Sequence, residues 1–320
     1  METEGESSDA YTEVFERFGI QATDIPDRSC YVYSPVFRTV VGGRQAAVKR
    51  TRRPIGAANA LASWLGELSR RGVRVVQPLP VPDNPAAVGD RCWVAYPWIT
   101  GTPYDGSAEH IALAGDLLGR MHAAAGGPEE IPRFSWPDHD QASVDEDVEG
   151  LTAVFKRHAP ELLDRVLPRL SSWLQDFMTE TLPPIRDAGL PVVVASMDFR
   201  ANNLVYTPDG PILIDPDNAE MAARILDLAL AVLLFHNEAE GAPPRLFDVK
   251  EWAVFRDAYA QHVELTPDER RLWPVALRYM LLEWCVWSLI AAEEWGDWER
   301  PQQRGFLMAL ADAELETFAL

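Results

Sequence analysis

The chain has 320 residues, 47% of them hydrophobic, and a formal net charge of −20. That length and apolar content can bury a substantial core in one large or two modest domains, while so acidic a composition excludes nucleic acid as an expected partner, since binding it needs a basic footprint. No run of about 18 uncharged apolar residues occurs, so no membrane span is expected. The three cysteines, Cys30, Cys92 and Cys285, are odd in number, far apart and without CxxC spacing. They argue against a disulfide framework and against zinc, and fit a reducing cytoplasm. The charge is uneven: residues 1–97 hold 12 Lys and Arg against 11 Asp and Glu, whereas 98–320 hold 17 against 38. Such an acidic second half can steer a cationic substrate inward, or can simply keep the protein soluble.

The acidic, polar start, residues 1–10, is the opposite of a secretory n-region and is expected to be disordered. Tyr11 to Phe18 reads as a short amphipathic helix through Val14, Phe15 and Phe18. Strand-like runs follow at Cys30–Tyr33, Val36–Val41 and Gln45–Lys49, the last two joined by a Gly42-Gly43 turn. Gly56 to Arg71 predicts a helix with Ala60, Leu61, Trp64, Leu65 and Leu68 inward, ended by Gly72. Val73–Val81 reads as a strand interrupted by prolines, and Arg91–Tyr96 as another, running into Pro97–Gly101. Ile111–Ala125 is an amphipathic helix with His122 near its end, where a structural role is expected. Residues 126–148, rich in Pro, Gly and acids, read as a loop, with helices expected at Val148–Ala159 and Pro160–Leu182. A strongly apolar helix runs from Arg224 to Phe235, and three or four helices occupy Val249–Leu320. Five tryptophans, Trp273, Trp284, Trp287, Trp295 and Trp298, gather in that last part, either to pack a core or to wall a pocket.

The most informative stretch is Pro191–Asn218. Val192–Val194 reads as a strand, followed by a loop carrying Asp198 and Asn203. A hairpin then runs from Asn203–Tyr206 through a Thr207-Pro-Asp-Gly210 turn to Pro211–Asp215, because Pro presets φ and Gly accepts a positive one. The hairpin brings Asp215 beside the loop bearing Asp198 and Asn203, and oxygen donors of this kind suit a hard cation such as Mg²⁺. Asp and Asn taken singly cap turns more often than they bind metal; the spacing as a set carries the functional reading.

That spacing, Asp-x4-Asn followed by a hairpin and Ile214-Asp215, resembles the catalytic core of the aminoglycoside phosphotransferase and choline kinase family. The family pattern has His-Gly before the first Asp; here Ser196 and Met197 stand in those places. The resemblance implies an α+β, two-lobed, protein-kinase-like fold, with a small, mostly antiparallel β lobe over residues 1–98 and a larger helical lobe over 99–320. It implies an ATP- and Mg²⁺-dependent phosphotransferase in which Asp198 is the catalytic base and Asn203 and Asp215 are metal ligands. Lys49, in Ala46-Ala-Val-Lys49, would hold the α/β-phosphates as a point charge. No G-x-G-x-x-G precedes it, so the phosphate loop would be built around Tyr33–Phe37, where Ser34 offers a hydroxyl. The glutamate that the family places on the following helix is missing: its position falls on Ala58, and Glu67 comes too late. Asp227 matches a family residue that braces the catalytic loop.

Three functions remain open at this point. The acceptor can be a hydroxyl of a small molecule, cationic or sugar-bearing, or a Ser/Thr of a peptide in natural-product maturation. Alternatively, Ser196, Met197, the missing Glu and the absent glycine loop motivate a catalytically dead binding module.

Overall fold

Gly42 and Gly43 take left-handed φ angles of 56° and 76°, which only glycine adopts cheaply. They fold the chain back so that β1 (Val36–Val41) and β2 (Arg44–Thr51) pair antiparallel with Val36 opposite Lys49. The computed structural model describes residues 11–31, 33–124 and 126–320; residues 1–10, expected to be disordered, lie outside that range. On its other edge β2 pairs with β4 (Arg91–Pro97), and β4 with β3 (Ala86–Val88), giving an antiparallel sheet in the order β1-β2-β4-β3. One face of this sheet packs Phe37, Val48 and Trp93 against Val14 and Phe15 of α1 (Thr12–Arg17). Helix α2 (Ile55–Arg70) instead joins the larger core through Leu61, Trp64, Leu65 and Leu68, and Gly72 ends it at φ 80°.

Two expected strands of this region are not strands. At Cys30–Tyr33 the Ser29 hydroxyl donates to the carbonyl of Tyr31 at 2.7 Å and accepts from the amide of Val36 at 3.0 Å. A side chain that serves the backbone locally competes with a ladder, and the segment becomes a tight loop; Val32 lies outside the described residues. In Val73–Val81 only Val75 makes a bridge, to Leu213. Pro78 and Pro80 have no amide to give, and the Asn84 side chain takes the carbonyls of Leu79 and Ala95 instead.

The larger lobe is helical around two short ribbons. Helix α3 (Ala108–Ala123) is capped by Ser107 and α4 (Gln141–His158) by Asp140. The Asp140 cap moves the start of α4 forward from the expected Val148, so Asp145, Glu146 and Asp147 stand on a helix rather than in a loop. The single helix expected over 160–182 is broken into a 3₁₀ turn (Pro160–Leu162), α5 (Leu167–Gln175), a π turn (Phe177–Thr181) and α6 (Leu182–Arg186). Pro160, Pro168 and Pro183 each sit in a first turn, where a missing amide costs least. β5 (Val192–Ala195) pairs with β8 (Glu220–Ala223), which the sequence reading missed. β6 (Leu204–Thr207) and β7 (Gly210–Leu213) form the expected hairpin, with Gly210 at φ 107°.

Helix α7 (Arg224–Leu234) is buried at every residue from Ile225 to Leu234. Around it lie α8 (Val249–Tyr259), α9 (Pro267–Met280), α10 (Val286–Ala291) and α11 (Pro301–Ala311). The continuous helical stretch Pro267–Ala291 is long and apolar enough to cross a membrane by composition, and half of its most apolar window is buried within the fold. Trp273 and Trp298 are core residues, whereas Trp287 is 66% exposed.

Helices α3 and α8 approach until backbone meets backbone. A Cβ on Gly115 would lie 2.3 Å from the carbonyl oxygen of Phe255, so no side-chain rearrangement can make room. Gly66, mid-way along α2, has only the tip of Gln77 within 3.7 Å. Gly115→Ala is therefore expected to destabilise by about 1–3 kcal/mol through overpacking, and Gly66→Ala to stabilise by about 0.5–1 kcal/mol through helix propensity. Urea unfolding of the two variants reads both; equal shifts would refute the close approach.

Candidate active site

The site begins where β5 ends. The amides of Ser196 and Met197 donate to the two carboxylate oxygens of Asp227 on α7, each at 2.7 Å. Asp227 also bonds His122 Nε2 on α3 at 2.9 Å, and the other ring nitrogen of His122 meets the Tyr259 hydroxyl on α8 at 2.9 Å. Met197 is held at φ 54°, a left-handed conformation at the position where the family pattern has glycine. Its side chain is buried in the core.

This bracket sets the direction of Asp198. Asn203 Nδ2 donates to the Asp198 carbonyl at 2.9 Å and to its Oδ2 at 3.0 Å, and Asn218 Nδ2 adds a contact at 3.3 Å. Arg200 Nε lies 2.9 Å from Asp198 Oδ1, and its Nη1 lies 2.7 Å from Glu238. Burial pushes the Asp198 carboxyl up to about 6, with Arg200 opposing the rise and the charge of Asp215 adding to it.

The β6–β7 hairpin follows, and just beyond it the amide of Ile214 donates to the Asn203 carbonyl at 2.9 Å. Asp215 follows directly and meets Lys49 Nζ at 2.6 Å, while Asp217 lies 3.1 Å from the same ammonium. Burial works against a charged Lys49, but Asp217 and Asp215 outweigh it and hold its pKa above the ordinary lysine value. Arg53 donates to the carbonyls of Asp217 and Ala219, and the Tyr96 hydroxyl donates to Asp217 Oδ1 at 3.0 Å.

Of the five residues singled out from sequence, Lys49 meets Asp215 and Asp198 meets Asn203, and the hairpin joins the two pairs. Ser34 lies in the loop ahead of β1, where its carbonyl accepts from the Ser29 hydroxyl at 3.3 Å. The residues that reach out from this loop are Tyr31, to Glu238 at 3.2 Å, and Tyr33, to Asp297 at 3.0 Å and edge-on to Trp295. Glu67 pairs with Arg70 and Arg71 on the surface of α2, away from Lys49. Arg200, Asp217 and Tyr96 were given no role from the sequence, although Arg200 and Asp217 each stand two residues beyond an aspartate already singled out. A cavity of about 520 Å³ opens between Arg38, Trp98–Tyr104, Ala201, Asn202, Leu204, Val205 and Glu238–Gly241, and Lys49, Asp198, Asn203 and Asp215 do not line it.

A profile of the phosphotransferase enzyme family matches residues 32–273. The chain belongs to this family. Solved structures agree on the fold of this phosphotransferase: a two-lobed kinase-like α+β architecture with a small antiparallel sheet above a helical lobe. Spectinomycin phosphotransferase, solved with ADP and spectinomycin, aligns over 98% of this chain and 99% of its own at 13% identity and a TM-score of 0.64. Amicoumacin kinase in complex with AMP-PNP and Ca²⁺ aligns over 93% and 89% at 15% identity and a TM-score of 0.59. An aminoglycoside phosphotransferase from Alicyclobacillus acidocaldarius aligns over 93% and 94% at 17% identity and a TM-score of 0.55. No curated protein sequence matches the phosphotransferase.

The elevated Asp198 pKa makes a linkage prediction that needs no substrate. A carboxyl whose folded pKa is raised contributes stability below its unfolded pKa and loses it as pH rises through about 6. Asp198→Asn keeps the neutral shape at every pH. The melting temperature of the variant should match the parent near pH 4 and exceed it above pH 7, by the equivalent of about 3 kcal/mol for a shift of roughly two units. A difference that stays constant between pH 4 and 8 would mean that Asp198 ionises as an ordinary surface carboxyl does.

Proposed function

We propose that this phosphotransferase moves the γ-phosphoryl group of ATP to a hydroxyl of a small molecule. The observation that carries the reading is the joining of two pairs by one hairpin: Asp198 with Asn203 at its start, Asp215 with Lys49 at its end. Neighbouring structures hold ADP with spectinomycin and AMP-PNP with Ca²⁺, which supports a nucleotide and a divalent ion for this chain too.

In this reading residues 1–98 clamp the nucleotide, and residues 99–320 supply the catalytic loop and the acceptor wall. Lys49 holds the α/β-phosphates, and Ser34 stands in the loop above them. The donor set fits Mg²⁺. Asn203 turns its amide nitrogen to Asp198, which leaves its oxygen free to coordinate, and Asp215 adds a carboxylate. Among the described residues no group of three or more His, Cys, Asp or Glu could hold a metal alone. That suits an ion bound through one or two protein oxygens and the substrate's phosphates. Mg²⁺ held there by Asn203 and Asp215 would neutralise charge on the transferring group.

Asp198 orients the acceptor hydroxyl in line with the γ-phosphorus and accepts its proton. Being hydrogen-bonded to Asn203 and Asn218, it is aimed before the acceptor arrives, and positioning is most of what phosphoryl transfer asks of a protein. Glu238, which shares Arg200 with Asp198, lines a cavity together with Glu240. Together with the acidic second half of the chain they favour an acceptor bearing an amine or a sugar.

Two measurements test this. Millimolar Mg·ATP should raise the melting temperature by linkage, since only the folded chain binds it. Transfer of labelled phosphate to a panel of amino alcohols, aminocyclitols and Ser/Thr peptides should pick a small molecule. Asp198→Ala should lower that transfer by at least about 10²-fold while leaving nucleotide binding close to the parent. A parent-like rate in the variant would remove Asp198 from the mechanism, and a peptide as the best acceptor would overturn the substrate class.

A further inference from the structure

We propose that Asp217 is the counter-ion that fixes Lys49 for its phosphate contacts, filling the role that a helix-borne glutamate has in related kinases. The proposal rests on the nucleotide reading above. Lys49 is buried on β2, and a buried ammonium is costly unless a carboxylate faces it. Helix α2 cannot supply one, because its single acid, Glu67, is spent on Arg70 and Arg71 at the surface.

Two carboxylates reach the ammonium instead, and their settings differ. The Asp215 side chain is 33% exposed, whereas the Asp217 side chain is 11% exposed. Asp217 is held at two further points: its Oδ1 accepts from Tyr96 on β4 at 3.0 Å, and its carbonyl accepts from Arg53 Nε at 2.7 Å. Its remaining oxygen, Oδ2, is buried, accepts no hydrogen bond among the described residues, and lies at ion-pair distance, 3.1 Å, from the Lys49 ammonium. Asp217 thus divides its carboxylate between the Tyr96 hydroxyl and the Lys49 ammonium. Asp215 keeps open access to the cleft, and its charge is available to a cation there; Asp217 remains with Lys49.

The arrangement has a consequence for control. Where the lysine's partner sits on a helix, moving that helix breaks the pair and switches the enzyme. Here both partners lie on β2 and on the segment after β7, tied through Tyr96 and Arg53, so a displacement of α2 leaves the pair intact. The geometry points to a phosphate clamp that is permanently set.

The test compares two ligands by titration calorimetry: Mg·ATP, which needs a placed Lys49, and adenosine, which has no phosphate. Asp217→Asn, isosteric and neutral, should weaken Mg·ATP by about tenfold or more, the scale of one charge-assisted contact, with adenosine affinity within about twofold of the parent. Tyr96→Phe should move Mg·ATP the same way by a smaller factor, and it decides the matter should Asp217→Asn fail to fold. Equal loss for both ligands would mean general damage and would overturn the proposal, as would no loss for either. A raised Mg²⁺ requirement with full affinity at saturating Mg²⁺ would make Asp217 a metal ligand and overturn it as well. If the parent binds no Mg·ATP, the nucleotide reading fails first and this proposal falls with it.

Discussion

The carboxylate of Asp227 is the constraint on which the cleft depends. It is completely buried, so without donors it would cost several kcal/mol to desolvate. It receives three: two consecutive backbone amides, Ser196 and Met197, and the ring of His122. The amides belong to the loop leaving β5, and Asp198 is the next residue. Holding Met197 at φ 54° costs a non-glycine residue on the order of 1–2 kcal/mol. Strain of that size persists only where the surroundings over-determine the conformation. They do so here: α7 supplies Asp227, α3 supplies His122, and α8 supplies the Tyr259 hydroxyl that orients the ring. Three helices therefore fix the direction of one loop.

A second constraint joins the lobes. Lys49, Arg53 and Tyr96 come from the small sheet and its flank, and all three engage residues 215–219 of the larger lobe. Tyr31 and Tyr33 add contacts to Glu238 and Asp297 of the larger lobe. Two cations of the cleft are already committed: Lys49 to two aspartates, Arg200 to Asp198 and Glu238. An incoming polyphosphate would exchange partners rather than find vacant charge. In a chain of net charge −20 this matters, because an unpaired carboxylate facing a phosphate would repel it.

Where local chemistry and global fold agree, the sequence was readable. The β6–β7 hairpin follows from Thr-Pro-Asp-Gly, the β1–β2 turn from Gly-Gly, and α7 from apolarity broken only by Asp227 after its opening Arg224. Asp198, Asn203 and Asp215 were legible because a hairpin of known length fixes which residues can meet. The misses have one cause in common, a side chain whose partner lies far away or serves the backbone. Tyr31 and Tyr33 look like strand residues until the Ser29 hydroxyl takes the backbone groups a ladder would need. The acids before Val148 look like a loop unless Asp140 is known to cap a helix. Arg200 and Asp217 resemble solvated loop charges, and only the fold reveals that both are enclosed.

The departures from the family pattern that suggested a dead enzyme have a common physical answer. At position 196 it is the amide that meets Asp227, so a serine there keeps the contact; its hydroxyl is buried without a partner among the described residues. At position 197 the left-handed backbone survives without glycine because the methionine side chain is buried in the core, and its burial offsets strain of similar size. The acid absent from α2 is matched by Asp217 from the other lobe. In place of a glycine loop there is a short segment tied at both tyrosines to the helical lobe. Each departure removes a side chain the geometry does not use, or moves a charge without losing it. Lys49 meets Asp215, Asp198 meets Asn203, and one hairpin joins the two pairs, so none of these departures takes apart the arrangement on which the proposed transfer rests.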